Sequence, residues 1–287
     1  MEKLLVLGGT GNIGFPLIEI LAEKAVTIVA GTRTPEKVAG DFKKFPTVEV
    51  KPFDFLDPAT FDEALESVDR VFFVRPPQLA NPPIDMYPFL EAVKAKQIKQ
   101  IVFVSLIGVD KNPVTPHHKI EKKINELAIP YTFIRPSFFM QNLSTTHLAD
   151  IQKEQDLFVP AGKSKTSFID TRDIAAVAAE CLLKEEYLNQ KLEITGAEAI
   201  SYEEAAQIMT QVLGEKISYS QPSLLKFRKT MLHRGIKKDY VNVMVMLYLI
   251  TQLGNAKKVT PIVQQVLNRE PISFQQFVED NRKLFLA

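Results

Sequence analysis

GGTGNIG, residues 8–14, is the stretch that decides the fold, and it directly follows the apolar run KLLVL of residues 3–7. The run predicts a buried strand, and residues 12–23 have the apolar spacing of a helix. Glycines between a strand and a helix let the backbone approach a pyrophosphate, and the helix N-terminus offers free N–H groups. We therefore predict a dinucleotide-binding loop rather than a plain glycine-rich turn. The expected contacts are Gly8, Thr10, Gly11, Asn12, Ile13 and Gly14.

Short apolar runs alternate with amphipathic stretches through the first half of the chain. Continuous apolar strands separated by helices are typical of a parallel sheet that is covered on both faces. The fold class is therefore predicted to be α/β, a doubly wound parallel sheet of the Rossmann type. The predicted strands are 3–7, 26–30, 48–52, 70–74, 101–105 and 131–135, and the predicted helices are 12–23, 57–66, 84–95 and 117–127.

The regular alternation weakens after about residue 150. We predict an NAD(P)-binding Rossmann domain over 1–150, and over 151–287 a mixed segment that completes the sheet plus a smaller, mostly helical C-terminal substrate lobe. The elements expected there are extended pieces at 158–160 and 166–169, a helix at 173–183 capped by Asp173, a strand at 191–195, a helix at 201–213 with a Ser201–Glu204 capping box, and helices over 222–285.

Composition places the chain among ordinary globular proteins. The 287 residues are 46% hydrophobic and 24% charged, with 35 Lys and Arg against 34 Asp and Glu, so the formal net charge is +1. This balance gives no support to direct nucleic-acid binding. The single cysteine, Cys181, cannot form an intrachain disulfide, and we find neither a signal peptide nor an apolar run long enough to span a membrane. We expect a cytoplasmic protein without a membrane partner or metal site, and the oligomeric state stays open.

The end of the second strand indicates which nicotinamide cofactor is bound. An NAD site normally places Asp or Glu there, but this chain has Arg33, with Lys37 four residues later. A guanidinium suits a 2′-phosphate, so we predict NADP(H), the alternative being two solvated surface cations. Other strand ends supply further candidates. Asp54 and Phe55 are expected beside the adenine, unless they form an ordinary turn, and Val74, Arg75 and Ser105 are expected at the cofactor edge.

Motifs along most of the chain resemble the NmrA-like family of atypical short-chain dehydrogenases/reductases. That resemblance implies an NADP(H)-binding protein that is either a small-molecule reductase, such as a quinone reductase, or a regulator that binds the dinucleotide without known chemistry. The matching pieces, in order, are GGTGNIG (8–14), TRTPEK (32–37), DFLD (54–57), VSLIGV (104–109), HHKIEKKI (117–124), FIRPSFFMQN (133–142), SFIDTRDIA (167–175), ITGAEAISYEEAA (194–206) and VLNREPISFQQFVEDN (266–281).

The Tyr-x-x-x-Lys pair of ordinary short-chain reductases is missing. By alignment with that pattern, Pro113 takes the tyrosine position and His117 the lysine position. His117 and Glu121 are one helical turn apart and share a face. His117 is the candidate catalytic residue, expected to contact the nicotinamide ribose or supply a proton, the alternative being a histidine that only hydrogen-bonds within its helix.

The segment after the sixth strand is the expected substrate wall. In the family it borders the nicotinamide and the substrate, so we assign Phe138 and Phe139 as an apolar wall and Asn142 as a polar contact, with Pro77 as a further substrate residue. Core packing is the alternative for each phenylalanine. The basic residues between 226 and 238 are either a solvated face or a binding site for an acidic partner.

The function predicted from these features is hydride transfer from NADPH to a quinone-like or similarly electron-poor small molecule. A quinone anion is delocalised and can take its proton from water, so it does not need the missing tyrosine. The alternative is a non-catalytic NADP(H) sensor that regulates a protein partner. An isomerase or dehydratase is less favoured because the acid–base pair is absent.

Overall fold

A computed structural model describes all 287 residues, and every strand predicted in the first half of the chain is present within one or two residues at each end. The strands are β1 (Glu2–Leu7), β2 (Val26–Thr32), β3 (Val48–Pro52), β4 (Arg70–Val74), β5 (Gln100–Val104), β6 (Tyr131–Pro136), β7 (Lys165–Thr166), β8 (Gln190–Ile194) and β9 (Ile200–Ser201). The α-helices are α1 (Gly14–Ala22), α2 (Pro35–Phe42), α3 (Phe61–Ala64), α4 (Pro82–Asp85), α5 (Tyr87–Ala95), α6 (Pro116–Glu126), α7 (Gln141–Ser144), α8 (Leu148–Glu154), α9 (Thr171–Leu183), α10 (Tyr202–Leu213), α11 (Leu224–His233), α12 (Lys238–Gln252), α13 (Ile262–Leu267), α14 (Phe274–Asp280) and α15 (Arg282–Phe285).

Seven strands form one sheet in the order β3-β2-β1-β4-β5-β6-β8, while β7 and β9 form a short antiparallel pair. The pairings from β3 across to β6 are all parallel. The strand order reverses between β1 and β4, and in such sheets ligands bind beyond the carboxyl ends of the strands at this reversal. The predicted doubly wound α/β class is confirmed, and the glycine loop lies at the reversal.

Aromatic side chains fill one face of this sheet. Phe53, Phe55, Phe73, Phe89 and Phe103 are all at most 7% exposed. Neighbouring rings meet edge to face or stacked, with centroids 4.7–6.2 Å apart, the arrangements that aromatic pairs prefer. This cluster fixes the ends of β3, β4 and β5 relative to one another, and so it positions the loops that follow them.

The chain divides into two compact units. Residues 1–136 and 172–193, which hold the seven-stranded sheet, form the first unit, and residues 137–171 and 194–287 form the second. The division falls at Pro136 rather than at the expected residue 150, because residues 137–150 pack with the later helices. The return of 172–193 to the first unit supplies α9 and the last sheet strand. Use of the second unit as a substrate lobe stays a prediction.

Several local expectations differ from the structure. Asp57 accepts a hydrogen bond from the Ala59 amide at 3.1 Å, but the helix expected over 57–66 is a 3-10 turn followed by the short α3. The helix expected over 84–95 is interrupted at Met86, between α4 and α5. Asp173 was expected to cap α9, yet that helix begins at Thr171, so Asp173 lies in its first turn. Residues 158–160 form no strand.

The second unit is mostly helical, as predicted. The capping box of α10 is complete, since the Glu204 amide donates to Ser201 Oγ at 3.1 Å and the Ser201 amide donates to the Glu204 carboxylate at 2.7 Å. Buried residues from α8, α10, α11, α12 and α14 form its core. None of the helices is both long and apolar enough to cross a membrane.

Candidate cofactor-binding site

The loop between β1 and α1 has a backbone that glycine alone can follow. Gly8 has a φ of +80°, and the Gly11 amide donates to the Gly8 carbonyl oxygen at 2.9 Å. A Cβ on Gly14 would lie 2.1 Å from that same oxygen, far inside contact distance. The absence of side chains therefore lets the first turn of α1 press against the loop, as the sequence pattern requires.

The amides at the start of α1 have no acceptor in the chain. Neither the Asn12 nor the Ile13 amide donates to another group of the protein. The tip formed by Thr10, Gly11 and Asn12 is exposed, whereas the Ile13 side chain is buried beneath it. Unpaired amides at a helix N-terminus attract anions, so the loop fits the diphosphate of a dinucleotide.

Beyond β2 the chain carries unpaired positive charge. Arg33 and Lys37 are both exposed and make no ion pair. Thr32 Oγ1 accepts the Thr34 amide at 3.3 Å and closes the turn that leads into α2. A free guanidinium next to the last residue of β2 fits a 2′-phosphate, and the nearest acid, Glu36, lies in the first turn of α2 rather than at the strand tip.

Asp54 and Phe55 follow β3 in a tight turn. Asp54 Oδ1 accepts the Leu56 amide at 3.0 Å, and the Asp54 amide donates to Thr60 Oγ1 at 3.1 Å. The Phe55 ring is 7% exposed and packs edge to face on Phe53 and Phe89. Both residues thus have structural partners within the first unit, and their contact with an adenine stays a prediction.

The residues after β4 form a loop that Arg75 holds together. Its guanidinium Nη1 donates to the carbonyl oxygens of Pro76, Pro77 and Leu79 at 2.9–3.1 Å. Its Nε is buried and has no partner, and burial lowers the pKa of Arg75. Val74 is half-buried and Pro77 is exposed in this loop. The cofactor role of Arg75 stays a prediction, and its hydrogen bonds show that it also fixes the loop, which the sequence did not indicate.

Ser105 follows β5 and keeps an unsatisfied hydroxyl. Its amide donates to the Ile134 carbonyl oxygen at 2.7 Å, but its Oγ is buried without a hydrogen-bond partner. Buried hydroxyls are nearly always hydrogen-bonded, and an exception in a native protein calls for an explanation such as a ligand. Together with the free amides of the glycine loop, this orphaned atom indicates that the edge is built to receive a polar molecule.

His117 lies in the first turn of α6 and stacks on Phe103, with ring centroids 6.0 Å apart and an interplanar angle of 22°. Neither ring nitrogen is hydrogen-bonded within the chain, so both are available to a ligand. Burial, aided by the positive charge of Arg75, lowers the pKa of His117 to about 3. The imidazole is therefore neutral near pH 7 and can donate one hydrogen bond and accept another.

Glu121 does not pair with His117, although the two are one helical turn apart. Its carboxylate accepts two hydrogen bonds from Arg135, at 2.6 and 3.0 Å, and Arg135 also donates to Asp110 at 2.6 and 2.9 Å. Arg135 is 3% exposed and Glu121 5%. Sequence reasoning missed this ion network, although an arginine inside the apolar run of β6 is a signal that a buried acid must face it.

Phe138, Phe139 and Asn142 belong to the second unit. Phe138 is half-buried and stacks on Tyr248, with centroids 6.4 Å apart. Phe139 forms a parallel bridge with Ile169. The Asn142 amide donates to the Phe139 carbonyl oxygen at 3.2 Å, and its side-chain amide makes no bond within the chain. All three are thus partly accessible, which is compatible with the predicted substrate wall without testing it.

A buried polar pair behind Phe138 was not found from sequence. His147 is 2% exposed, and its Nε2 lies 2.7 Å from the Tyr248 hydroxyl, while its Nδ1 has no partner. Burial lowers the pKa of His147 to about 4, so this imidazole is neutral at pH 7. The partners are 101 residues apart in the chain, so no local sequence motif predicts the pair.

No cluster of three or more His, Cys, Asp or Glu residues that could hold a metal ion is present.

The chain belongs to the NmrA-like family, whose model matches residues 1–277. Among curated relatives, prestalk A differentiation protein A of Dictyostelium discoideum is 30% identical over 97% of this chain and 92% of its own length. The NAD(P)H azoreductase of Xenophilus azovorans is also 30% identical, over 99% of both chains. The resemblance seen in the motifs is thereby confirmed.

Solved structures share the fold along the whole chain. The NADPH complex of an NADPH-dependent quinone oxidoreductase from Escherichia coli has a TM-score of 0.87 at 20% identity, covering 96% of this chain and 99% of its own. The NADP(H) complex of Citrobacter sp. triphenylmethane reductase has a TM-score of 0.83 at 21% identity, covering 97% and 99%. NmrA, a negative transcriptional regulator crystallised with NADP, has a TM-score of 0.80 at 13% identity, covering 99% and 96%. The prediction of NADP(H) agrees with these complexes.

Proposed function

We propose that this member of the NmrA-like family is an NADPH-dependent oxidoreductase of quinone-like, electron-poor small molecules. The observation that carries the proposal is the state of His117. It takes the lysine position of the missing Tyr-x-x-x-Lys pair, its ring nitrogens are free, and its pKa is about 3. A site whose candidate acid is a neutral imidazole suits an acceptor that needs no strong proton donor.

The first unit supplies the groups that would hold NADPH. The free amides of Asn12 and Ile13 would bind the diphosphate, and Arg33, with Lys37 behind it, would bind the 2′-phosphate. The unpartnered Ser105 hydroxyl would take a hydrogen bond at the edge of the sheet. These roles rest on the exposure, charge and unmet hydrogen bonds of the groups themselves.

When bound, the reduced nicotinamide supplies a hydride, and the protein contributes orientation and proton management. Reduction of a quinone consumes that hydride and one proton. The neutral His117 N–H would donate a hydrogen bond to the acceptor oxygen or to the ribose, without losing its proton. The delocalised product anion would then be protonated from water. For Phe138 and Phe139, which belong to the second unit, the apolar substrate wall stays the prediction made from the sequence.

The names of the relatives favour this class of acceptor. A quinone oxidoreductase, an azoreductase and a triphenylmethane reductase are all named for conjugated acceptors. A hydride delivered to such a π-system leaves a product whose charge is spread or neutralised. An isolated ketone has no such relief and develops a localised alkoxide.

The test is NADPH oxidation with a matched panel: a water-soluble benzoquinone, an azo dye and a saturated cyclic ketone. We expect turnover of the first two and none of the ketone. Turnover of the ketone alone would contradict the proposal.

Cofactor choice is tested by titration with NADPH and NADH. We expect Arg33→Ala to weaken NADPH binding about 10-fold, because one charge-assisted phosphate contact is lost, while NADH binding stays unchanged. The matched control is Lys24→Ala, which removes an exposed, unpaired cation at the opposite end of β2. Equal affinities for the two cofactors in the wild type would refute the assignment.

A regulatory function is the second candidate, favoured by the fold match to the NADP-bound regulator NmrA and by the missing acid pair. A sensor would discriminate NADP⁺ from NADPH strongly and turn over none of the panel. That combination would replace the oxidoreductase proposal.

A further inference from the structure

Positive charge is concentrated in one stretch of the second unit. Between residues 221 and 260 the sequence has eight Lys or Arg and one acid, Asp239, a local charge of +7. The whole chain carries +1, so the remaining residues carry −6. The cations are Lys226, Arg228, Lys229, Arg234, Lys237, Lys238, Lys257 and Lys258.

Most of these lysines are not engaged in the fold. Arg234 pairs with Asp150 at 2.6 Å and Arg228 donates to Asn242 at 3.2 Å. In contrast, Lys226, Lys229, Lys237 and Lys238 are exposed and make no ion pair. Four lysine charges that make no ion pair within the chain indicate an external anionic partner.

The same stretch exposes an apolar helix face. Val243, Met246, Leu249 and Leu253, on and just after α12, are 39–70% exposed. Their spacing of three, three and four residues places them along one side of the helix, opposite the buried Met244, Tyr248 and Thr251. On α11, which packs against α12, Leu225 is 81% exposed. We call these five apolar residues with the four free lysines the hairpin surface.

In the sequence, the lysines lie at the borders of the apolar side chains. Lys237 caps α12 and Lys238 is its first residue, Lys257 and Lys258 follow the helix closely, and Lys226 is next to Leu225. An apolar helix face bordered by lysines is the pattern of helices that lie in the headgroup region of a bilayer. Their aliphatic side chains enter the acyl boundary, and their lysines reach anionic headgroups.

We propose that the hairpin surface docks the protein onto anionic phospholipid membranes. A second copy of this chain is a poor occupant, because pairing the surface with itself would bring two sets of four unpaired lysines together. The apolar residues project from a convex helix, and neither described surface cavity is built from them. Protein partners anchor in pockets, whereas a bilayer needs no shape complementarity. This goes beyond the sequence prediction of no membrane partner, which rested on the absence of a spanning segment.

The experiment is co-sedimentation of the full chain with phosphatidylcholine vesicles, with and without phosphatidylserine. We expect binding to the serine-containing vesicles only, with affinity that falls as salt rises because the charges are screened. Lys237→Ala with Lys238→Ala should weaken binding about 30-fold, at about 1 kcal/mol per lysine. Met246→Ser with Leu253→Ser should weaken it at least about 10-fold, because less apolar area enters the bilayer.

The matched control is Lys24→Ala with Lys43→Ala, which removes two exposed, unpaired lysines of the first unit and changes net charge equally. It should bind vesicles as the wild type does. NADPH affinity, measured on every variant, should be unchanged and reports folding, so failure here is separate from failure of the proposed function.

Three results would overturn the proposal. One is absence of binding to serine-containing vesicles. Another is binding that the serine variants leave unchanged, which would mean adsorption by charge alone. The third is binding of the wild type to soluble polyglutamate but not to vesicles, which would assign the surface to an acidic protein partner.

Discussion

The glycine loop and helix α6 lie in the same unit, yet they hold their functional groups in opposite ways. The loop presents backbone amides, and its geometry depends on what is missing: a Cβ at Gly14 would lie 2.1 Å from the Gly8 carbonyl oxygen. Helix α6 presents side chains, and two of them, Glu121 and His117, differ in their hydrogen bonding. Glu121 is bound to Arg135, whereas His117 has free nitrogens. A backbone site is specified locally, while a side-chain site depends on distant neighbours.

The largest expected effect is on the stability of the protein and concerns Glu121 of α6. Glu121→Ala should destabilise the protein by about 3–5 kcal/mol, because Arg135 would remain buried without its main partner. Asp110→Ala is the matched control, since it removes the other acid of Arg135 from a side chain that is 61% exposed, and should cost at most about 1 kcal/mol. Urea unfolding measures both. Equal losses would show that burial does not separate the two acids.

The next effect concerns the loop. Gly14→Ala should weaken NADPH binding about 100-fold, because the added methyl group forces the loop away from the helix N-terminus. Gly40→Ala, within α2, is the control: its Cβ would meet no atom within 4 Å, so it should leave affinity unchanged and raise stability by up to about 1 kcal/mol. Isothermal titration and urea unfolding separate the two. Unchanged affinity in Gly14→Ala would remove the diphosphate assignment.

The contrast between a locally specified backbone site and a side-chain site also explains which features could be predicted from the sequence. The Gly8–Gly14 motif and the parallel strands could be predicted because each requirement is written within a few neighbouring residues. The pKa of His117 could not, since it depends on burial and on the charge of Arg75 from another strand end. The bond between His147 and Tyr248 joins positions 101 residues apart. The start of α9 was predicted two residues too late, because Asp is a common N-cap residue but Asp173 lies in the first turn of the helix.

Ser105 shares a feature with both the glycine loop and helix α6. Like His117 it is a side chain, and like the loop amides it has an unmet hydrogen bond. Ser105→Ala should leave the ligand-free protein equally stable or up to about 1 kcal/mol more stable, since an unpaired buried hydroxyl is removed. NADPH affinity should fall about 5-fold if that hydroxyl bonds the cofactor. Thermal unfolding with and without NADPH gives both signs in one experiment. A loss of stability without ligand would mean that the hydroxyl has a partner inside the protein.

The smallest effect is on the rate of quinone reduction and concerns His117 of α6. His117→Gln should lower kcat with a quinone by only about 3-fold, because a neutral donor is replaced by another neutral donor. The ratio of wild-type to variant rates should be constant between about pH 5 and 8, since the pKa of His117 is about 3. His118→Gln is the control for changes in α6, because the His118 ring nitrogen lies 3.2 Å from the Val109 carbonyl oxygen.

Protonation of His117 also favours the unfolded chain, where its pKa is about 6.5. The stability that His117 contributes is therefore full above that pH and is lost as pH falls toward 3. The contrary result would be a wild-type rate that changes with pH around 6.5 and a His117→Gln rate that does not. His117 would then titrate near its ordinary pKa and act as the proton donor, and the neutral imidazole would be wrong.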